Sequence, residues 1–489
     1  MTRIVVIGHG MVGSRFAEEV VETLADADVT VLGKEPQAAY NRVLLSSVVS
    51  GVANPESLTI AGPDHPRVAT LTGVSAVKVD RAARTVIDSA GAVHDYDFLV
   101  FATGSVARIP AIQGVADSDG FVSGVAVLKD MADAQDIVKH ALSARRAVVL
   151  GAGVLGLEVA TGLAKRGVAV RVVHHADRLM ERQLGWEASA VATTSLTKLG
   201  IDVHTGVSLA GAQATRGKLS SVRLEDGSEV LTDMLVMCCG TIPETSLARQ
   251  AGLEIDRGIV VGDDLATPRD PAIFAIGDCA QPPGGGTGLV AQGWEQSSRL
   301  AARLAGVDGV TASEPRSTDV VRVKASGLSM ATMGVSGDFD RADPRLRVLS
   351  LKDPEGGRFI EVVVSGGLLV GATCIGDKAI AADLATLYTR KIPVPSDPAQ
   401  LLIHALAGQA SAAKDPAEMA DDDIVCNCNS VSKGAICTAV AEGCDTVAGI
   451  AKATRATTGC GDCAALVAKL VTAPSTPTAA PAATERAVP

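Results

Sequence analysis

With 489 residues, of which 47% are hydrophobic and 20% charged, the chain is too long for one core and has the composition of a globular protein of about three or four domains. A net charge of −11 and an aromatic content of 2% argue against a nucleic-acid partner, which selects basic surfaces and stacking rings. No basic leader or cleavage site precedes Ile4 to Ile7, and no apolar run approaches the roughly 18 residues that cross a bilayer, so a cytoplasmic protein without membrane contact is expected.

The first landmark, Arg3 to Gly13 (RIVVIGHGMVG), reads as a β-branched strand, a glycine-rich turn and the start of a helix that runs over Ser14 to Leu24. Gly8, Gly10 and Gly13 fit G-x-G-x-x-G: the first glycine permits the tight turn, the second admits a pyrophosphate against backbone, and the third lets helix and strand pack closely. The helix beginning near Met11 would aim its unpaired N–H groups at that pyrophosphate. A second strand, Val29 to Leu32, leads to Glu35, placed to accept hydrogen bonds from an adenosine ribose. Short strands follow at Val68 to Val79 and Thr85 to Ile87, and Tyr96 to Gly104 reads as a buried strand ending at Ala102-Thr103-Gly104.

The plan returns at Ala147 to Gly156 (AVVLGAGVLG), where Gly151, Gly153 and Gly156 give a second fingerprint and Glu158 lies at the start of the helix-like Leu157 to Arg166. The next strand, Ala169 to Val173, ends at His174-His175 instead of an acid, which leaves NADH and NADPH both open. Arg178 would suit a 2′-phosphate, while His174, His175 and Arg178 equally fit a solvated strand end. After a strand over Met234 to Cys239, Asp256 to Ala280 resumes the first pattern, so the second unit reads as an insertion into the first. TPRDPAIFAIGDCA, Thr267 to Ala280, runs through an apolar strand into Gly277-Asp278, and the helix Val290 to Leu304 follows. An Asp at that turn can bind a ribityl hydroxyl, and the following helix N-terminus favours negative charge on a reduced flavin.

These motifs in this order resemble the glutathione-reductase-like superfamily of FAD and NAD(P)H oxidoreductases. The resemblance implies FAD contacts from Gly8, Gly10, Met11, Gly13, Glu35, Asn41, Arg42, Val77, Thr103, Gly104 and Asp278, and NAD(P)H contacts from Gly151, Gly153, Val154, Gly156, Glu158, His174, Arg178 and Gly240. For Asn41 and Arg42 a capped helix start is the other reading. Many members carry redox cysteines beside the flavin, but no cysteine precedes Cys238, and YNRVLLSS, Tyr40 to Ser47, offers Ser46 and Ser47 instead. Cys238 and Cys239 in an apolar strand, and Cys279 beside Asp278, read as packing thiols.

Past Glu314 the texture changes to alternating strands at Val320 to Val323, Arg347 to Leu351, Phe359 to Val364 and Leu368 to Cys374, a small α+β domain. Ser411 to Asp423 reads as an acidic linker, and the Pro-, Ala- and Thr-rich end from Ala473 as disordered. Between them Cys426-x-Cys428 and Cys460-x-x-Cys463 form two close pairs that would surround one metal centre, with helices over Ser432 to Glu442 and Thr446 to Thr454 making Cys437 and Cys444 packing thiols. Spacing alone permits zinc as well as iron-sulfur. The segment IVCNCNSVSKGAICTAVAEGCDTVAGIAKATRATTGCGDC resembles the bacterioferritin-associated-ferredoxin-like [2Fe-2S] domain, which implies Cys426, Cys428, Cys460 and Cys463 as cluster ligands.

The expected fold class is therefore α/β, with two Rossmann-like FAD and NAD(P) domains, a small α+β domain and a C-terminal helical [2Fe-2S] module. The expected boundaries are 1–115 with 256–312 for FAD, 116–255 for NAD(P)H, 313–410 for the third domain, 411–424 for the linker, 425–472 for the cluster and 473–489 for the tail. GHGMVGSRF, PQAAYNRVLLSSVVSG, RLMERQLG, LLVGATCIGDK and the C-x-C module together resemble the flavoprotein part of NADH-dependent assimilatory nitrite reductases and the electron-transfer subunit of assimilatory nitrate reductase. No further cysteine set for a sirohaem and [4Fe-4S] domain follows Cys463, so the expected acceptor is a separate nitrate or nitrite reductase catalytic subunit. NADH is slightly favoured as donor by the resemblance. A reductase for a ferredoxin- or rubredoxin-type carrier is the alternative, and an iron-storage-associated binding module is a third reading.

Overall fold

A computed structural model gives the fold and describes residues 1–60, 62–118, 120–307, 320–402, 419–426, 429, 431–459, 461 and 463–472. The chain divides into two compact units, Met1–Ala410 and Ser411–Pro489. Positions 411–418 of the expected linker, the tail 473–489, Cys428 and Cys460 lie outside the described residues.

In the first unit, the β-branched runs form two sheets of the same plan. A six-stranded sheet has the order Ala266–Thr267, Asp270–Ala275, Phe98–Phe101, Thr2–Ile7, Ala27–Gly33, Val68–Thr72, parallel except for its first pair. An all-parallel five-stranded sheet follows the order Val125–Val127, Met234–Met237, Arg146–Leu150, Ala169–Val173, Asp202–His204. Residues 4–7 and 147–150 are buried throughout, because helices cover one face of each sheet and a three-stranded meander the other. Each sheet has its own three-stranded antiparallel meander, at Ala76–Asp80, Thr85–Asp88 and Val93–Asp95 in one case and at Leu209–Thr215, Lys218–Leu224 and Glu229–Leu231 in the other.

A two-stranded antiparallel ribbon, Ser105–Ala107 against Thr241–Pro243, joins the segments that leave the two sheets. The expected strand region Val68 to Val79 holds two strands: Val68–Thr72 stays in the main sheet, and Gly73, in the left-handed region at φ +72°, precedes the break before Ala76–Asp80 joins the meander. Beyond residue 320, five antiparallel strands take the order Val321–Ala325, Leu328–Gly334, Leu368–Ile375, Arg358–Ser365, Arg347–Asp353. Leu328–Gly334 was not expected from its sequence, yet it lies inside this sheet. The helix Lys378–Thr389 packs on this sheet, and so does Trp186–Lys198 from the region of the second fingerprint.

The second unit is small. Its hairpin Ile424–Cys426 with Val431–Ser432 and helices Lys433–Ala441, Val447–Thr454 and Ala464–Thr472 enclose a core that includes Ile436, Ile450 and Val467. Ser432 and Thr446 cap the first two helices through their side-chain oxygens.

Candidate functional site

The two glycine turns are built alike, atom for atom. A Cβ on Gly8 would overlap the carbonyl of Ala102, and one on Gly13 would overlap the carbonyl of Gly8; on Gly151 and Gly156 it would meet the carbonyls of Cys238 and Gly151 in the same way. In each turn, then, the first and third glycines are demanded by backbone approach. The middle ones differ: Gly153 has nothing within 4 Å, and Gly10 has only Nε of Arg42, 3.7 Å away. The space that a side chain would fill is open where a pyrophosphate needs to approach backbone. The helices Met11–Thr23 and Val154–Lys165 start at these turns with no side-chain cap on Gly10 or Gly153, which leaves their first N–H groups available to an anion.

Beside the first turn, Glu35 accepts from Tyr40 Oη at 2.7 Å and pairs with Arg42, whose guanidinium also lies over the Tyr40 ring at 4.7 Å. Tyr40 Oη in turn accepts the N–H of Met131 at 2.9 Å, and Arg42 Nη1 reaches the carbonyl of Lys129 at 3.5 Å. Asn41 is buried and its Oδ1 caps the short 3-10 turn Arg42–Leu44 by accepting from Val43 at 3.0 Å. Between Gly8 and Gly10, both ring nitrogens of His9 are buried without a hydrogen-bond partner among the described residues, and burial lowers the pKa of the ring. Orphaned ring nitrogens at a turn open to an anion fit a bound dinucleotide.

Asp278, in the 3-10 turn Gly277–Cys279, accepts from Ser105 Oγ at 2.7 Å. Ser105 accepts from Lys129 Nζ at 2.6 Å, and Lys129 stands 3.8 Å from Asp278. Burial holds the Lys129 ammonium below its ordinary pKa, with Asp278 opposing and the charge of Arg42 adding to the shift. Sequence reasoning missed Lys129, which belongs to a loop before the helix Met131–Ala141 and far from either fingerprint; the signal was its place before the capping pair Asp130 and Asp133. Thr103 donates to the carbonyl of Glu244 at 2.7 Å, tying the end of one sheet strand to the ribbon, while Gly104 (φ +69°) and Gly240 (φ +91°) are open on the side where a Cβ would stand. Val77 is exposed, at the irregularity in its meander.

At the second turn, Met11's counterpart Val154 opens the helix, and Glu158 follows in its first turns. Glu158 is 4% exposed and points away from solvent: Oε2 accepts from Ser46 at 2.6 Å and Oε1 from the N–H of Lys324 at 2.7 Å. His174 is also engaged inside the protein, Nδ1 accepting from the N–H of Ala152 at 3.2 Å and Nε2 facing Glu181 at 3.0 Å. Arg178 donates to the carbonyls of Leu184 and Glu181, pairs with Asp177 and Asp338, and lies over the Trp186 ring. Its guanidinium is thereby committed to structure.

The thiols divide by surroundings. Cys279 is fully buried and burial raises its pKa; burial also raises those of Cys238 and Cys239. Cys426 goes the other way. The Cys463 thiol, then the N–H groups of Thr457 and Asn429, hold it well below the ordinary thiol range despite burial, and Asn429 Nδ2 lies 3.8 Å from its sulfur. Arg455 and Thr457 both have left-handed backbone, φ 62° and 71°. A converging thiol pair ringed by N–H donors fits a thiolate-bound cluster.

Residues 2–301 match the family described as pyridine nucleotide-disulphide oxidoreductase, and residues 424–473 match the BFD-like [2Fe-2S] binding domain. The chain is 33% identical over 479 residues to a nitrite reductase [NAD(P)H] of Bacillus subtilis (strain 168), covering 96% of this chain and 57% of that protein. It is 31% identical to the assimilatory nitrate reductase electron transfer subunit of the same organism, covering 96% of this chain and 59% of that one. It thus spans little more than half the length of these relatives. Among solved structures, the covalent putidaredoxin reductase-putidaredoxin complex superposes with a TM-score of 0.72 at 26% identity, over 84% of this chain and 99% of the other.

Proposed function

Because the chain belongs to the pyridine nucleotide-disulphide oxidoreductase family, an NAD(P)H-dependent flavoprotein group, and carries a BFD-like [2Fe-2S] unit, we propose that it draws electrons from NAD(P)H and delivers them through the cluster to a separate nitrate or nitrite reductase catalytic subunit. The observation that carries this reading is the pairing of a flavin region without an accessible thiol with a cluster-type cysteine site. No cysteine precedes Cys238, Cys279 is a sealed core thiol, and Cys426 and Cys463 converge in the C-terminal unit.

FAD accepts two electrons from the coenzyme and can release them singly, which suits a one-electron cluster. The protein's part is binding and orientation. The uncapped helix starts at Gly10 and Gly153 receive the two pyrophosphates, Arg42 and Lys129 add positive charge beside the first, and Asp278, held by Ser105, receives a ribityl hydroxyl. The acceptor is named from the relatives, one of which is itself an electron transfer subunit. Among the described residues no helix is long and apolar enough to cross a membrane. NAD(P)H and a thiolate-bound cluster both suit the reducing cytoplasm, where we place the reaction.

The test is anaerobic reduction of the purified chain with NADH and with NADPH, following flavin and cluster absorbance separately, then addition of a nitrate reductase catalytic subunit. The expected result is bleaching of flavin and cluster and turnover of nitrate, with Cys460→Ser retaining flavin reduction and losing delivery. Protein that purifies without flavin, or a Cys460→Ser variant that still drives the acceptor, would sink the reading. The likeness to a putidaredoxin reductase favours a second one, in which the acceptor is a small ferredoxin-type carrier. Faster reduction of such a carrier than of nitrate reductase would select it.

A further inference from the structure

We propose that Glu181 is the carboxylate that holds the adenosine ribose of the nicotinamide coenzyme and selects NADH over NADPH, an assignment that rests on the second fingerprint being the NAD(P)H site. In dinucleotide turns of this kind an acid at the end of the next strand accepts the ribose hydroxyls. Here the residue at that place, directly after Ala169–Val173, is His174, and it is 5% exposed with its ring turned inward.

The geometry passes the acid's position on to a residue later in the chain. Nδ1 of His174 accepts from the N–H of Ala152, the residue between Gly151 and Gly153, so the ring proton sits on Nε2 and is donated to Glu181 Oε2 at 3.0 Å. The chain then folds back onto the same turn. Met180 adopts left-handed backbone at φ 47°, and its N–H donates to the carbonyl of Ala152 at 3.1 Å. Both peptide groups of Ala152 are therefore tied to the segment that carries Glu181. A non-glycine residue held at positive φ marks a loop whose shape is imposed by these contacts.

Charge at the site points the same way. Burial works to raise the pKa of Glu181, but the hydrogen bond from His174 and the nearby His175 leave it below its ordinary value, so the carboxyl is ionised near neutrality. Its side chain is 30% exposed, with Oε2 engaged by His174 and the residue's own N–H adding a second hydrogen bond to the carboxylate. An ionised, partly exposed carboxylate suits the two hydroxyls of an NADH ribose and repels a 2′-phosphate. The cation that would reverse this preference, Arg178, is 10% exposed and spent on Leu184, Glu181, Asp177 and Asp338. His175 and Arg182, both exposed, are the remaining basic groups on this segment.

The test is calorimetric titration of the oxidised, flavin-loaded full chain with NAD⁺, NADP⁺, 5′-ADP and 2′,5′-ADP, which reads binding without turnover. Wild type should favour NAD⁺ over NADP⁺ and 5′-ADP over 2′,5′-ADP. Glu181→Gln should weaken NAD⁺ and 5′-ADP by about tenfold, as loss of a charged hydrogen-bond acceptor does, and erase the discrimination, while Glu181→Asp keeps part of it. Flavin content and melting temperature report that each variant is folded. A wild type that prefers the 2′-phosphorylated ligands, through His175 and Arg182, overturns the proposal, as does a folded Glu181→Gln variant with unchanged discrimination. Wild type that binds none of the four ligands would instead overturn the assignment of the second fingerprint itself.

Discussion

The hydroxyl of Ser46 donates a 2.6 Å hydrogen bond to the buried carboxylate of Glu158, joining the short helix Leu45–Val49 to the helix of the second fingerprint. Lys324, at the start of the third sheet, adds its N–H to the other oxygen at 2.7 Å. One carboxylate thus fixes three parts of the chain. Removing a donor from a buried acceptor costs about 1–3 kcal/mol, so Ser46→Ala should lower the free energy of unfolding by that amount in urea or guanidinium titration. A variant as stable as wild type would mean that Glu158 finds another donor.

The glycines of the second turn make opposite predictions. A Cβ at position 156 would overlap the Gly151 carbonyl, which belongs to backbone and cannot yield, whereas a Cβ at 153 meets nothing within 4 Å. Gly156→Ala should therefore lower thermal stability as well as coenzyme binding. Gly153→Ala should melt as wild type does yet bind NAD⁺ at least about tenfold more weakly, because the methyl occupies the approach of the pyrophosphate. Equal melting temperatures for the two variants would contradict the packing.

The contrast explains what was legible beforehand. Both fingerprints, the helix Val290–Leu304 and the strand Ala169–Val173 are written in local pattern, in glycine spacing, period and β-branching, and the structure has them within a few residues of expectation. Leu328–Gly334 (LSMATMG) was missed because Met, Ala and Ser carry little strand preference, and its place in the sheet comes from neighbours on both sides. The surroundings of Glu158 and Arg178 were illegible for another reason. Their partners Lys324 and Asp338 lie 166 and 160 residues away in sequence. Lys129 escaped notice likewise, since its meaning depends on Ser105 and Asp278 being folded beside it.

Tyr96 offers a prediction with a defined pH window. Its hydroxyl is buried without a hydrogen-bond partner among the described residues, and burial, aided by the charge of Asp270, pushes its pKa from 10.0 to about 12. An unmet buried hydroxyl costs about 1–3 kcal/mol, so Tyr96→Phe should be as stable as wild type or more stable at pH 7. The folded chain keeps this proton where the unfolded chain loses it. Stability is therefore level below pH 10.0 on this account and falls as pH rises through about 12. Denaturation at pH 7 and pH 11 should show a smaller fall for the Phe variant; a marked loss at pH 7 would mean the hydroxyl has a partner.

Lys129 couples stability to cofactor retention. Burial first, then the charge of Arg42, depresses its pKa against the pull of Asp278. For a cation whose folded pKa lies below its unfolded one, the protonated form is disfavoured by folding, so apoprotein stability rises as pH climbs from the folded value toward the ordinary 10.5. An anion beside Lys129 and Arg42 would reverse that penalty, and on the proposed assignment the flavin pyrophosphate would be such an anion. Lys129→Met should therefore stabilise the apoprotein at neutral pH while weakening FAD binding by about tenfold or more, the worth of a charge-assisted hydrogen bond. Fluorescence titration of apoprotein with FAD, set beside the apoprotein melting curve, reads both effects. Weaker FAD binding together with a lower apoprotein melting point would show Lys129 acting through packing instead of charge.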